Sequence, residues 1–302
     1  MTCVNYEIVD AVLIALGACV SLFGICGNIV AFLGFRKQTK KKSTSFLFQA
    51  LALADTLVIF TLFTFDVSLY FYYKDTFAYT QFSVDALVLF DCFGEISILL
   101  TNGITILLTV TRLIAVCFPL YASTICSIRR VRCYLVATII AAIGCFLPFT
   151  FAFLLNIEKL TGPIYDVIFR PLVFSAFPLL IITTMTIIIM VRLKVLNNRR
   201  INMTAAHRRK NKSTRVLITV NIVFVVCSLP WPLFNVLKYA GLSCIGSVVS
   251  YTVPFFHIVN SSVNFLIYTM LSKQYRDVVI QNCRCSCSRT RPDGASINIT
   301  AN

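Results

Sequence analysis

Seven apolar runs decide what this chain can fold into, because about 20 apolar residues in a helix cross the hydrocarbon core of a bilayer. They lie near Ile8–Phe35, Ser45–Tyr73, Phe82–Val116, Cys133–Leu155, Tyr165–Val191, Val216–Leu237 and Cys244–Met270. In lipid every backbone N–H and C=O must be satisfied within the span, which leaves helices for runs of this length. Composition agrees: 58% of the 302 residues are hydrophobic and 13% are charged, against roughly a quarter charged in soluble domains. The expected architecture is an all-α membrane protein, a seven-transmembrane helix bundle. Runs beyond the minimum length predict tilt or extension past the bilayer.

The net charge of +15 follows membrane topology. Arg36, Lys37, Lys40, Lys41 and Lys42 follow the first run, and Arg129, Arg130 and Arg132 precede the fourth. A dense basic stretch from Arg192 to Arg215 joins the fifth and sixth, and Arg276, Arg284, Arg289 and Arg291 lie beyond the seventh. The opposite loops hold only Lys74, Lys159, Arg170 and Lys238. Cytoplasmic loops carry the excess of Lys and Arg, so the N-terminus is expected outside and the C-terminus in the cytoplasm. Anionic membrane lipid or a cytoplasmic protein, and no nucleic acid, is the partner this charge fits.

The chain then divides into an extracellular N-terminus (1–7), a transmembrane domain (8–270) and a cytoplasmic helix and tail (271–302). Glu7 and Asp10 where a signal peptide would be basic, and the length of the first run, predict an anchor rather than a cleaved leader. The Asn-x-Ser/Thr matches at Asn202, Asn211, Asn260 and Asn298 all fall in the cytoplasm or the membrane by this topology, where no glycan is added.

The thirteen cysteines show no zinc-type pairing, and within spans they read as small apolar residues. Cys3 and Cys244 alone fall on the outer side, which makes a disulfide between them the expectation there. Cys283, Cys285 and Cys287 end an amphipathic segment and are candidates for palmitoylation.

Polar residues inside spans are costly and should face the bundle interior. The first span carries Asn28 beside Gly27, and the second carries Asp55 and, three turns further out, Asp66. Steps of three and four along the third span give Asp91, Glu95, Ile98, Asn102, Thr105, Thr109 and Arg112, one predicted interior face. The threonines suit a seam between helices. Asp91 and Glu95, near the outer mouth, suit an open cavity, since two neighbouring carboxylates repel unless a cation sits between them, supplied by a basic ligand group or by Lys238 or Arg170 from a loop. Pro148, Pro178 and Pro230 predict bends in the fourth, fifth and sixth spans. The seventh steps through His257, Ser261, Asn264 and Tyr268, and Ser272 to Ile280 has the spacing of a short amphipathic eighth helix on the inner leaflet. With no nucleotide loop, no H-E-x-x-H and no Ser/His/Asp constellation, an enzyme is not expected.

These residues, in order, resemble the rhodopsin-like family of G-protein-coupled receptors over nearly the whole chain. Gly27-Asn28 resembles the first-helix motif and Leu51 to Asp55 the second-helix L-x-x-x-D. Arg112 followed by Ala115-Val116-Cys117-Phe118-Pro119-Leu120 resembles the third-helix arginine and its loop. Pro178 matches the fifth-helix proline; Phe224, Cys227 and Pro230 match the sixth-helix F-x-x-C-W-x-P. Asn260 to Tyr268 resembles N-S-x-x-N-P-x-x-Y, and Lys273 to Arg276 the start of the eighth helix. The sequences around Asp55 and from Cys117 to Cys126 are similar to invertebrate peptide receptors of the FMRFamide type, with nematode chemoreceptors a second resemblance.

Departures accompany the matches. Thr111 and Leu113 flank the arginine in place of an acid and a tyrosine. Ser228 stands at the sixth-helix tryptophan and Trp231 is the only tryptophan in the chain. Phe265 replaces the seventh-helix proline and Thr186 the fifth-helix tyrosine, and the family's usual disulfide has no cysteines to form it.

The resemblance implies a plasma-membrane receptor that binds an extracellular ligand and activates a heterotrimeric G protein. A peptide with a cationic group is expected among Asp66, Asp91, Glu95, Trp231, Asn235, Tyr251 and His257. Gly94 occupies the amine-binding position, which argues against a monoamine. Arg112, Tyr268, Pro230 and Phe224 are expected to carry coupling and activation. Asp55, Thr101, Asn260, Ser261 and Asn264 resemble an internal sodium site, with a water network as the alternative occupant. Thr111 leaves Arg112 without its usual neighbouring acid, and the sixth helix offers Lys210 near its inner end, so elevated basal signalling is expected. A chemosensory receptor, a receptor-like chain that does not signal, and a transporter or channel are the rival readings.

Overall fold

The computed structural model describes residues 6–36, 43–73, 81–154, 172–198, 205–233, 246–271 and 275–276. Seven long helices carry the fold: α1 (Tyr6–Arg36), α2 (Ser43–Tyr73), α3 (Gln81–Cys117), α4 (Ile128–Leu154), α5 (Phe177–Asn198), α6 (Ala205–Ser228) and α7 (Gly246–Leu271). No strand occurs among the described residues. Six helices, α1 to α6, contain stretches long and apolar enough to cross a membrane, and this is a multi-pass membrane protein. The seventh expected span, α7, is a helix of 26 residues but falls outside that group. Its interior face of His257, Asn260, Ser261, Ser262 and Asn264 dilutes an otherwise apolar helix.

Helix ends depart from the apolar runs for one reason. Hydropathy reports the part of a helix in lipid, and several helices continue into water. Thus α4 starts at Ile128, before the apolar run at Cys133, and α6 starts at Ala205 inside the basic stretch. The fifth helix opens with a π-helical turn, Leu172–Ala176, ahead of Pro178. Between α3 and α4 the chain forms a short helix, Pro119–Ile125. Pro119 begins it, where a missing N–H costs nothing.

Of the described helices, α3 packs against α2, α4, α5 and α6, and α7 packs against α1, α2 and α6. The larger apolar cluster fills the expected cytoplasmic half around Leu47, Leu51, Ile104, Leu108, Leu217 and Tyr268; a second, around Ile59, Leu62, Ile98 and Ile258, lies further out. Outward faces are strongly apolar, with Ile140, Leu180 and Met190 among many exposed large side chains. Small residues set the closest approaches: Gly24 and Gly27 of α1 lie against Ser262 and Phe265 of α7, and Gly103 of α3 against Thr138 of α4. Bundles in lipid depend on such contacts, because apolar side chains gain little by leaving lipid tails.

Candidate functional site

The polar face read along α3 is interior. Glu95, Asn102, Thr105 and Thr109 are buried and Asp91 and Arg112 half-buried. Thr105 Oγ1 donates to the carbonyl of Thr101 at 2.9 Å and Thr109 Oγ1 to that of Thr105 at 2.8 Å. Each hydroxyl thereby places its own proton on its own helix, as burial away from water demands.

Midway through the bundle, Asp55 of α2 is fully buried. Asn264 of α7 donates its Nδ2 to Asp55 Oδ2 at 2.8 Å, and the Ser261 side chain also bonds this carboxylate. Asn28 of α1 donates to the carbonyl of Ser261 at 3.1 Å, so three helices meet through amides. Among the described residues, Asp55 Oδ1 and Thr101 Oγ1 are buried with no hydrogen-bond partner. Unpaired buried acceptors of this kind are costly, and an all-oxygen set beside a carboxylate is what a hard cation takes. Asn260 and Ser261 are buried on α7 as well, so the residues present fit such an ion.

Below this lies an aromatic cluster that the sequence did not reveal. Tyr268 is enclosed by Phe35 at 5.3 Å, Phe48 at 5.0 Å and Tyr275 at 6.0 Å between ring centroids. Tyr275 is 1% exposed and lies so close to Gly34 that a Cβ there would meet its ring at 2.9 Å. Arg276 reaches the carbonyls of Thr269 and Met270 at 3.4 Å, a basic side chain at the end of α7 where it satisfies orphan acceptors. Of the expected eighth helix, only Tyr275 and Arg276 lie within the described residues. Phe265, standing where the family has proline, packs edge-on to Phe23 and Tyr275 at 6.4 Å and fills the groove opened by Gly27.

The sixth helix is interrupted at Leu229. Pro230 and Pro232 have no N–H, so the carbonyls of Val226 and Ser228 lose their helical donors. Leu229 still bonds back to Val225 at 3.1 Å and Leu233 to Leu229 at 3.4 Å. Ser175, from the π turn before α5, donates to the Ser228 carbonyl at 3.1 Å. The serine at the usual tryptophan position therefore leaves room for a neighbouring helix to approach the break. Phe224 is buried one turn further in, and Trp231 sits 6.1 Å from His257 across to α7.

Of the proposed ligand residues, Trp231 and His257 are thus brought together. Asp66, Glu95 and Tyr251 are buried and Asp91 is half-buried. Asn235 lies outside the described residues, as do Lys238, Arg170, Cys3, Cys244, Cys283, Cys285 and Cys287. At the expected cytoplasmic end, Ser43 donates to the Cys126 carbonyl at 2.5 Å and Cys126 Sγ approaches the Thr111 carbonyl at 3.9 Å. Burial pushes the Cys126 thiol up from its ordinary value, partly offset by the nearby Arg112 guanidinium.

Asn221 of α6 is the polar residue the motif reading passed over. Its Nδ2 donates to Thr186 Oγ1 of α5 at 2.7 Å and to Thr109 Oγ1 of α3 at 3.1 Å. A lone amide within an apolar run was the available signal, and Thr186 in place of a tyrosine was the second half of it.

The family model described as the serpentine type 7TM GPCR chemoreceptor Srw matches residues 159–286, which hold α5, α6 and α7. The FMRFamide receptor of Drosophila melanogaster is 25% identical over 301 residues, covering 91% of this chain and 54% of the relative. The chain therefore spans about half the length of the curated relative it matches. Both matches support a G-protein-coupled receptor, the class the motifs resemble. The chain is similar there to an invertebrate peptide receptor of the FMRFamide type.

Proposed function

We propose that the chain is a plasma-membrane receptor that binds an extracellular peptide and promotes nucleotide exchange on a heterotrimeric G protein. The N-terminus lies outside, the C-terminus is cytoplasmic, and a short amphipathic helix follows α7. The observation that carries this reading is the buried polar face of α3, continuous from Asp91 and Glu95 at the outer end to Arg112 at the inner end. It gives one helix a recognition end and an effector end. The ligand places a cationic group against Asp66, Asp91 and Glu95, where buried carboxylates favour a charged donor, and an apolar part beside Trp231, Asn235, Tyr251 and His257. Arg112 contacts the G protein, and Phe224, Pro230 and Tyr268 transmit the change. Ligand binding drives it only through a higher affinity for the active arrangement. Asp55, Thr101, Asn260, Ser261 and Asn264 would hold sodium, which would neutralise the buried carboxylate.

A screen of amidated peptides and small amines with a calcium or cAMP readout tests this. Arg112→Ala should abolish the response, with surface expression intact. Ion or solute flux through reconstituted protein that survives Arg112→Ala would overturn the reading in favour of a transporter. The Srw match supports a second reading, a chemosensory receptor of the same fold, which responses to small odorants in place of peptides would establish.

A further inference from the structure

We propose that Asn221 is a polar latch, closed on Thr109 and Thr186, that holds the cytoplasmic part of α6 against α3 and α5 and must open for the protein to signal. The signalling half of this inference rests on the receptor reading above; the mechanical half does not.

The geometry begins at the double proline. Pro230 and Pro232 remove one helical bond each, and the helix is interrupted at Leu229. Bends of this kind are where a helix changes direction. At the break itself, Ser175 of the turn before α5 bonds the carbonyl of Ser228, the last residue before Leu229. On the inner side α6 is an unbroken helix from Ala205 to Ser228, a stiff lever ending in the basic cytoplasmic stretch. Its apolar contacts, through Val216, Leu217 and Val220, are non-directional and tolerate sliding. Asn221 supplies directional contacts. It is 1% exposed, and its amide ties α6 to two other helices at once.

The tie is built to release. Thr109 and Thr186 accept from the amide nitrogen, while Asn221 Oδ1 is buried and receives no donor among the described residues. An unpaired buried acceptor costs about as much as an ordinary hydrogen bond contributes. Two bonds made against one acceptor stranded leave the closed arrangement favoured by a small margin, on the order of tenfold. A latch of that strength can be overcome by a ligand with modest preference for the open form. It also supplies a restraint on α6 that the sequence around Arg112 does not show.

Leverage makes the test readable. Arg215 lies fourteen residues before Leu229, roughly 21 Å along the helix, so a 20° change at the break moves it about 7 Å. Spin labels carried on keto amino acids at Arg130 and Arg215, both exposed, report the α4–α6 separation in the full chain in nanodiscs and leave the native cysteines untouched. Asn221→Leu should move about half of the molecules to a separation longer by about 5–7 Å and raise basal nucleotide exchange roughly three- to tenfold. Thr186→Val keeps the shape and loses one acceptor. It should give a smaller shift of the same sign, and it carries the test should Asn221→Leu fold poorly. Unchanged distance distributions in variants that melt like the parent overturn the latch. A lengthened distance with no nucleotide exchange in parent or variant supports the latch and overturns the receptor reading instead.

Discussion

Gly24→Ala is the sharpest test of how α1 meets α7. A Cβ at Gly24 would lie 2.7 Å from both Ser262 Cβ and Ile59 Cδ1. The isoleucine methyl can rotate away, but Ser262 Cβ is fixed to the α7 backbone, so the helices must separate. Ser262 Oγ, which donates to the Ile258 carbonyl at 2.7 Å and to Val20 of α1 at 3.3 Å, would lose the bond between helices. Overpacking costs about 1–3 kcal/mol and the lost bond about 1 kcal/mol. Against this, alanine in place of a helical glycine returns about 1 kcal/mol. Destabilisation therefore wins by about 1–3 kcal/mol, an apparent fall in Tm of roughly 2–5 °C for a chain of this size. Thermal unfolding followed by a thiol-reactive dye suits the measurement, because Cys92 and Cys227 are buried and become reactive as the bundle opens. Ser262→Gly in the Gly24→Ala background removes the clash but not the loss of the bond between helices, so it should restore part of the stability, a coupling expected of residues in contact. A Tm that rises or stays level in Gly24→Ala would refute this register of α1 on α7.

Two further outcomes bear on the bundle interior. Replacing N-methylglucamine chloride by sodium chloride at constant ionic strength should raise the Tm of the parent chain, by about 1.4 kcal/mol of linkage at tenfold excess over Kd. Asp55→Asn should be insensitive to the exchange, and an equal response in both would remove sodium from that site. Phe265→Pro restores the family pattern yet should destabilise, because it places proline inside α7 at a cost of about 3 kcal/mol and empties the groove between Gly27 and Tyr275. Membrane yield and Tm should both fall; parity with the parent would show that Phe265 is not a packing residue.

The sequence alone determined the long helices and their polar faces. Those are local properties: the apolar run reflects the solvent a segment must occupy, and spacing by three and four residues fixes which side chains share a face. The interior face of α3 from Glu95 to Thr109 and that of α7 through Ser261, Asn264 and Tyr268 were legible for this reason. Helix ends were less so, since the portions of α4 and α6 beyond the lipid carry charge and escape a hydropathy reading. Which polar groups meet was decided only by the tertiary structure. Asn221 reaches Thr109 across 112 residues and Asn264 reaches Asp55 across 209. The burial of Tyr275 depends on a glycine in α1 and the role of Phe265 on another. Such pairings depend on the rotation and depth of whole helices, set by the sum of all their contacts, and no single stretch of sequence carries that sum.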